Sequence, residues 1–482
     1  MSISASLDAS SASRPPFAAT PLILALGGFA LCAFSLAVLN DGDTWSHIGT
    51  GEWILNNRAI PHADPFSFTF AGRPWVAHEW LSEILMALAY RAAGFPGVML
   101  LTGAAAAVSA YVVAKQVVDR LPGVAGPALA LLALALTTPG LLARPHVLAL
   151  PVFAIWTAAL FQARENARAP ALGYAALMCL WANLHGGFAF GLALIAPFAL
   201  EAVWEAAPGK RIPALRDWGL FAALSVIAAL LTPFGVEGLL FPIKLIGQPL
   251  LANIGEWRAE DFSHPGPLEI FLLGLVAFAL IRPMRLAPIR VALLVGLIHL
   301  ALQHARHEML LAVVAPMILA RPMSAALPAT TAQPPMARKW LAAGFGVAVL
   351  LAGVRIAFPL PQLDTSSAPS RAFATVPDEI RGKPVLNSYS FGGFLIFAKV
   401  RPFIDGRADM YGPKFLSTYA RLASGDEALL TETLKTNEIV WTLFAPSQGV
   451  VAILDRLPGW RRLYGDAHAV VHVRDDAGLR RE

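Results

Sequence analysis

The chain has 482 residues, 56% of them hydrophobic and only 14% charged, with a mean hydropathy of +0.59. Soluble domains sit at roughly 45–50% apolar with about a quarter charged, so the composition excludes a soluble globular protein and marks an integral membrane protein. The formal charge of +5 does not point to nucleic acid, because the basic residues fall mostly in short loops between apolar runs, where they set topology. The two cysteines, Cys32 and Cys179, lie inside apolar segments, which excludes a disulfide framework or a cysteine metal site.

Residues 1–20 read as a Ser- and Ala-rich flexible tail. The run 21–39 has the length a bilayer-spanning helix needs, roughly 17–25 residues. A cleaved signal peptide is the rival reading, but the run is long for an h-region of about 7–15 residues. Residues 40–83 then pack Asp41, Asp43, His47, Glu52, His62, Asp64, Arg73, His78 and Glu79 between four tryptophans. Indole rings favour the membrane–water interface. This stretch therefore reads as a long, partly ordered loop on the membrane, its acids and imidazoles facing a cavity. An acid at 41 or 43 suits the N-cap of a helix over 44–55. His47, four residues after Asp43, shares a helix face with it.

The segment 84–93 is apolar, with a break at 94–96. Further apolar runs follow at 97–114, 124–142, 147–160, 172–183, 188–203, 218–231, 268–281, 291–302, 309–320 and 341–357. With the first run these make about eleven spans, several short for the bilayer core. Lys and Arg concentrate in alternate loops, which puts the N-terminus in the cytoplasm and both the 40–83 loop and the C-terminal region outside. In a bacterium that side is the periplasm and the membrane the inner one. The outside loops also hold Arg144 and His146, His185, Glu256, and His304 with Arg306. Ionisable groups at span ends are functional candidates by default; interfacial snorkelling explains any one of them, but not their gathering on one side.

From residue 361 the composition changes. Candidate strands at 384–388, 401–405, 439–444 and 469–474 alternate with candidate helices at 391–398, 413–423, 427–436 and 448–457, implying a small, partly parallel sheet. Asp405, Arg407 and Asp409 in IDGRADMY read as a charged turn held by a structural ion pair.

An outward-facing carboxylate beside a membrane cavity suits proton abstraction from an attacking hydroxyl. Arg and His neighbours suit the charge that develops on a leaving phosphate. His47, His78, Arg144, His146, His185, His304 and Arg306 are the candidates, with Glu79 and Glu256 as further acids. A divalent metal, Mg or Mn, is a possible cofactor, with Asp41, Asp43 and Glu79 as its ligands.

Asp43-Thr44-Trp45, just beyond the first apolar run, resembles the Asp-x-aromatic element in the first external loop of the glycosyltransferase C (GT-C) superfamily. DGDTWSHIGTGEWIL, IPHADPFSFT, HEWL, NLHGGF and IDGRADMY together resemble a group of bacterial GT-C-like membrane proteins over nearly the whole chain. The resemblance implies an α-helical polytopic membrane domain over 21–358 with a first periplasmic loop at 40–94, followed by a periplasmic α/β domain over 359–482. It implies a cell-envelope enzyme that moves a sugar from a polyprenyl-phosphate donor to a lipid, glycan or protein acceptor. Asp43 is then the base, with Asp41 the second choice. The alternatives are a transporter or flippase, which predicts inverted repeats and polar residues at span centres, and a non-catalytic scaffold, which predicts dispensable loop acids.

Overall fold

The computed structural model describes residues 17–246, 257–328, 336–361 and 363–477. In the apolar part the helices are α1 (Thr20–Phe34), α2 (Gly42–Asn57), α3 (Trp80–Val118), α4 (Ala125–Thr137), α5 (Pro145–Glu165), α6 (Ala175–Leu184), α7 (Phe188–Glu205), α8 (Arg211–Ala229), α9 (Gly235–Ile246), α10 (Pro267–Ile281), α11 (Pro288–Gln303), α12 (Glu308–Ala326) and α13 (Arg338–Ala357). Among the described residues six helices are long and apolar enough to cross a membrane: Trp80–Val118, Pro145–Glu165, Phe188–Glu205, Pro208–Ala229, Ala305–Ala326 and Arg338–Ala357. Five more apolar helices have only 10–17 residues. Exposed Leu273, Leu280, Val295, Phe345 and Leu350 on α10, α11 and α13 are the surface expected of helices solvated by lipid.

The 39-residue α3 is the axis of the fold and packs against α1, α2 and α5. The apolar segment 84–93 and the run 97–114 both belong to it. Its break falls at Ala93 and Gly94, where Gly94 adopts a left-handed φ of 62° that a residue without a Cβ takes at no steric cost. At the far end from α2, ion pairs tie the helices together. Glu165 receives Arg120 and Arg321, and Glu201 receives Arg164 and Arg290.

The 40–83 stretch holds the helix expected over 44–55, as the 16-residue α2 (Gly42–Asn57), followed by a hairpin-like turn closed by Asp64–Arg73 and His62–Trp75 backbone hydrogen bonds. Two of its tryptophans are inside protein. Trp45 is buried edge-on among Phe95, Phe394 and Phe397, and Trp75 is buried beside Phe66. Aromatic partners from the C-terminal domain outcompete lipid for the Trp45 ring, because burying an indole in a packed aromatic cluster removes more apolar area than the interface can.

The C-terminal domain holds helices α14 (Ser370–Ala374), α15 (Asp378–Arg381), α16 (Gly392–Phe397), α17 (Ala408–Ser424), α18 (Glu427–Thr436) and α19 (Gly449–Leu454). Its strands are β1 (Val385–Asn387), β2 (Trp441–Phe444), β3 (Trp460–Gly465) and β4 (Val470–Arg474). The sheet order is β1-β2-β4-β3, with β1 parallel to β2 and the other pairs antiparallel. The expected strand at 401–405 is absent. The Asn387 side chain instead accepts from Phe403 N and donates to Ile404 O, so one amide replaces a ladder, and Pro402 has no N–H to offer one. The domain docks on α2 through α16, so closely that a Cβ on Gly393 would overlap the Gly42 carbonyl.

Candidate functional site

α2 begins where its first acid can cap it. Asp41, extended at φ −143°, accepts a hydrogen bond from Asp43 N at 2.8 Å, satisfying one of the unpaired N–H groups of a helix start. Asp43 is therefore in the first turn and points elsewhere. Arg144, the residue before α5, reaches both acids, with Nη2 2.7 Å from Asp43 Oδ2 and Nη1 3.6 Å from Asp41 Oδ2. One turn further along α2, His47 Nδ1 lies 3.2 Å from Glu83 Oε1 and its Nε2 3.8 Å from Glu79 Oε2.

Glu79 is the focus of three imidazoles. His47, His78 and His185 each direct Nε2 at its carboxyl, at 3.8, 3.7 and 3.5 Å. His185 Nδ1 accepts from Gly187 N at 2.9 Å, so its proton is on Nε2, facing Glu79. The NLHGG turn that carries His185 is fastened to the start of α3 by Trp80 Nε1 donating to Asn183 Oδ1 and Ser82 Oγ donating to Leu184 O. His146 Nε2 donates to Gly140 O at 2.8 Å, and its ring lies 6.1 Å from that of His185. The side chains of Asp43, Arg144, His185, His78, Glu79 and His47 remain 28, 18, 18, 21, 16 and 12% exposed. They are partly exposed, whereas Glu83 beneath them is closed off at 4%.

Burial pushes the Glu79 carboxyl above the usual carboxylate range, against the opposing charges of His47, Arg144 and Arg306. Burial likewise disfavours the charged form of two imidazoles: His78 titrates below its ordinary value and His185 well below it, the latter also repelled by His146 and Arg306. Asp409 of the C-terminal domain is raised by burial beside His78. A carboxyl raised in the folded state holds a proton that the unfolded chain has already released. Its stabilising contribution is therefore present below the unfolded pKa and lost as pH rises. Melting of the wild type is expected to fall relative to Glu79→Gln as pH is raised from about 5 to about 8, measured by thermal unfolding of the two proteins in matched detergent. A constant difference across that range would count against a buried, protonated Glu79.

The expected residues divide into four groups. Asp41, Asp43, His47, His78, Glu79, Arg144, His146 and His185 come together, all at one end of the helix bundle. Arg306 is close enough to act on Glu79 and His185, with its guanidinium 4.3 Å from the Trp257 ring centroid. His304 packs with His307 and donates from Nδ1 to Trp257 O, 2.6 Å away. Glu256 lies outside the described residues. Sequence reasoning passed over Glu83 as a site residue, although it follows Glu79 by four and so shares its helix face. It also passed over Tyr389 and Gly406, for which the sequence carries no local signal.

The expected metal ligands do not converge. The Arg144 guanidinium stands against both Asp41 and Asp43, where a cation would have to bind, while Glu79 faces imidazoles. Among the described residues no group of three or more His, Cys, Asp or Glu is placed to hold a metal ion.

Fold and site together define a membrane-embedded helical protein with a cluster of acids, imidazoles and an arginine at one end of its bundle, against a small α/β domain. No family model matches the chain, and no curated protein matches it.

Proposed function

We propose that the chain is a glycosyltransferase of the inner membrane that moves a sugar from a polyprenyl-phosphate donor to a hydroxyl of a lipid, glycan or protein at the periplasmic face. The observation that carries this reading is the Arg144–Asp43 pair at 2.7 Å, beside the three imidazoles gathered on Glu79. Arg144 stands against the carboxylate proposed as the base and offers its guanidinium to a donor phosphate. In the reaction Asp43 takes the proton of the acceptor hydroxyl. That oxygen bonds to the anomeric carbon as the carbon–oxygen bond to phosphate breaks, and the electron pair leaves with the phosphate. Arg144, Arg306 and His146 face the charge that develops there. The Lys and Arg distribution supports a cytoplasmic N-terminus and an outer C-terminal domain.

The test is transfer from labelled polyprenyl-phosphate sugars in membranes holding equal amounts of wild type, Asp43→Asn and Asp41→Asn, each with and without EDTA. Loss in Asp43→Asn alone is the expected result. Equal transfer by all three proteins would sink the mechanism, and an EDTA effect would restore a divalent ion to it.

A further inference from the structure

The C-terminal domain could be a lid, an acceptor-binding module or part of the reaction centre, and one close approach separates these roles. Asp43 is held from two sides. Arg144 takes Oδ2, while the other oxygen lies against the backbone of Gly406, so tightly that a Cβ on Gly406 would overlap Oδ1 and stand 3.1 Å from Cγ. Gly406 does not have the left-handed backbone that would call for glycine on conformational grounds. What the position requires is the absence of a side chain.

The turn that presents Gly406 is braced on both flanks. Ahead of it, Asn387 Nδ2 donates to Ile404 O at 2.8 Å. Behind it, Arg407 donates from N, Nε and Nη2 to Asp405 and from Nη1 to Asp64, all within 3.1 Å. The guanidinium lies 4.6 Å from the Trp75 ring centroid and 5.1 Å from that of Phe66. Tyr389 Oη donates to the Gly406 carbonyl at 3.0 Å. A turn fixed this firmly against a carboxylate does more than cover it.

We propose that the C-terminal domain is a working part of the site, and that the Asp405–Arg407 turn, through Gly406, positions the Asp43 carboxylate for proton abstraction. This rests on the reading of Asp43 as the base. Gly406, Arg407 and Tyr389 are positioning residues, since they act through Asp43. The carboxylate lies between the Arg144 guanidinium and the Gly406 backbone. A displacement of about 1 Å at such a group can cost on the order of a hundredfold in rate.

The experiment measures kcat and donor KM for wild type, Gly406→Ala, Tyr389→Phe, Asp43→Asn and Gly382→Ala, together with their melting temperatures. Gly382 has open space where a Cβ would go and serves as the control. The three atoms nearest an added Cβ all belong to the end of the Asp43 side chain, and Gly406→Ala is expected to fold as wild type does. Its kcat is expected to fall by roughly ten- to a hundredfold, with KM within about threefold and melting unchanged. Tyr389→Phe adds no volume and is expected to lower kcat several-fold at constant KM. An unchanged kcat in Gly406→Ala would overturn the inference, as would a loss shared by KM and melting temperature. Should Gly406→Ala fail to fold, an unchanged kcat in Tyr389→Phe overturns it instead. Full activity in Asp43→Asn would remove the base reading itself, an outcome distinct from either of these.

Discussion

Replacing Arg407 with methionine is expected to destabilise the docked C-terminal domain by about 3–5 kcal/mol. The Asp64 and Asp405 side chains are fully enclosed, and Arg407 itself is only 10% exposed. Two carboxylates would then be left in a low-dielectric site with serine, tyrosine and backbone donors but no cation. Methionine keeps an apolar stem to pack on Trp75 and Phe66, so the measured loss reports the guanidinium's charge and its hydrogen bonds to the two acids. Burial alone would raise the Asp405 carboxyl, but Arg407 and Tyr411 hold it below the usual range. Its contribution is therefore present above the unfolded carboxylate pKa, about 3.9, and is lost only as pH falls through the lower folded value. Arg407→Lys keeps the charge but cannot serve both acids or stack its ammonium flat on the rings; it is expected to fall between wild type and Arg407→Met. Thermal melts and the rate of tryptic release of the C-terminal domain check both variants. A melt equal to wild type for Arg407→Met would mean the network contributes nothing to docking.

How far the sequence could be read varies with the range of the forces involved. Local signals were readable. Glu427–Thr436 is helical over the residues its pattern implied, Asp41 caps α2, and the break before Pro96 is a kink at Gly94. The β3 strand, WRRLYG, was not readable, because a half-exposed edge strand with two arginines lacks the apolar alternation that marks a buried one. At 401–405 the residues are strand-like, but a single asparagine from β1 takes their hydrogen bonds. The site was legible as a list of residues and not as a geometry. Glu79 meets an imidazole more than a hundred residues away on the NLHGG turn, and Asp64 meets Arg407 across 343 positions. No window of sequence registers such contacts. The tryptophans of α2 and its hairpin were read as interfacial because composition alone cannot say whether lipid or a later domain covers a ring.

The largest kinetic effect is expected at Asp43, where asparagine should lower transfer by about 10²- to 10⁴-fold, the range of a lost general base. Asparagine is close in size, still accepts from Arg144 and leaves Gly406 undisturbed, so the loss reports proton acceptance and little else. Asp41→Asn makes the internal comparison. Its residue caps α2, asparagine caps as well as aspartate, and transfer should stay near wild type. Equal losses at both positions would mean that the pair acts together through Arg144 and that neither acid alone is the base. Arg144→Met decides between these cases. If Arg144 only holds the phosphate, donor KM rises and kcat changes less. If it also orients Asp43, as the 2.7 Å contact implies, kcat falls by roughly 10²- to 10³-fold, and Arg144→Lys restores only part of it, because an ammonium cannot reach Asp41 and Asp43 in the same geometry.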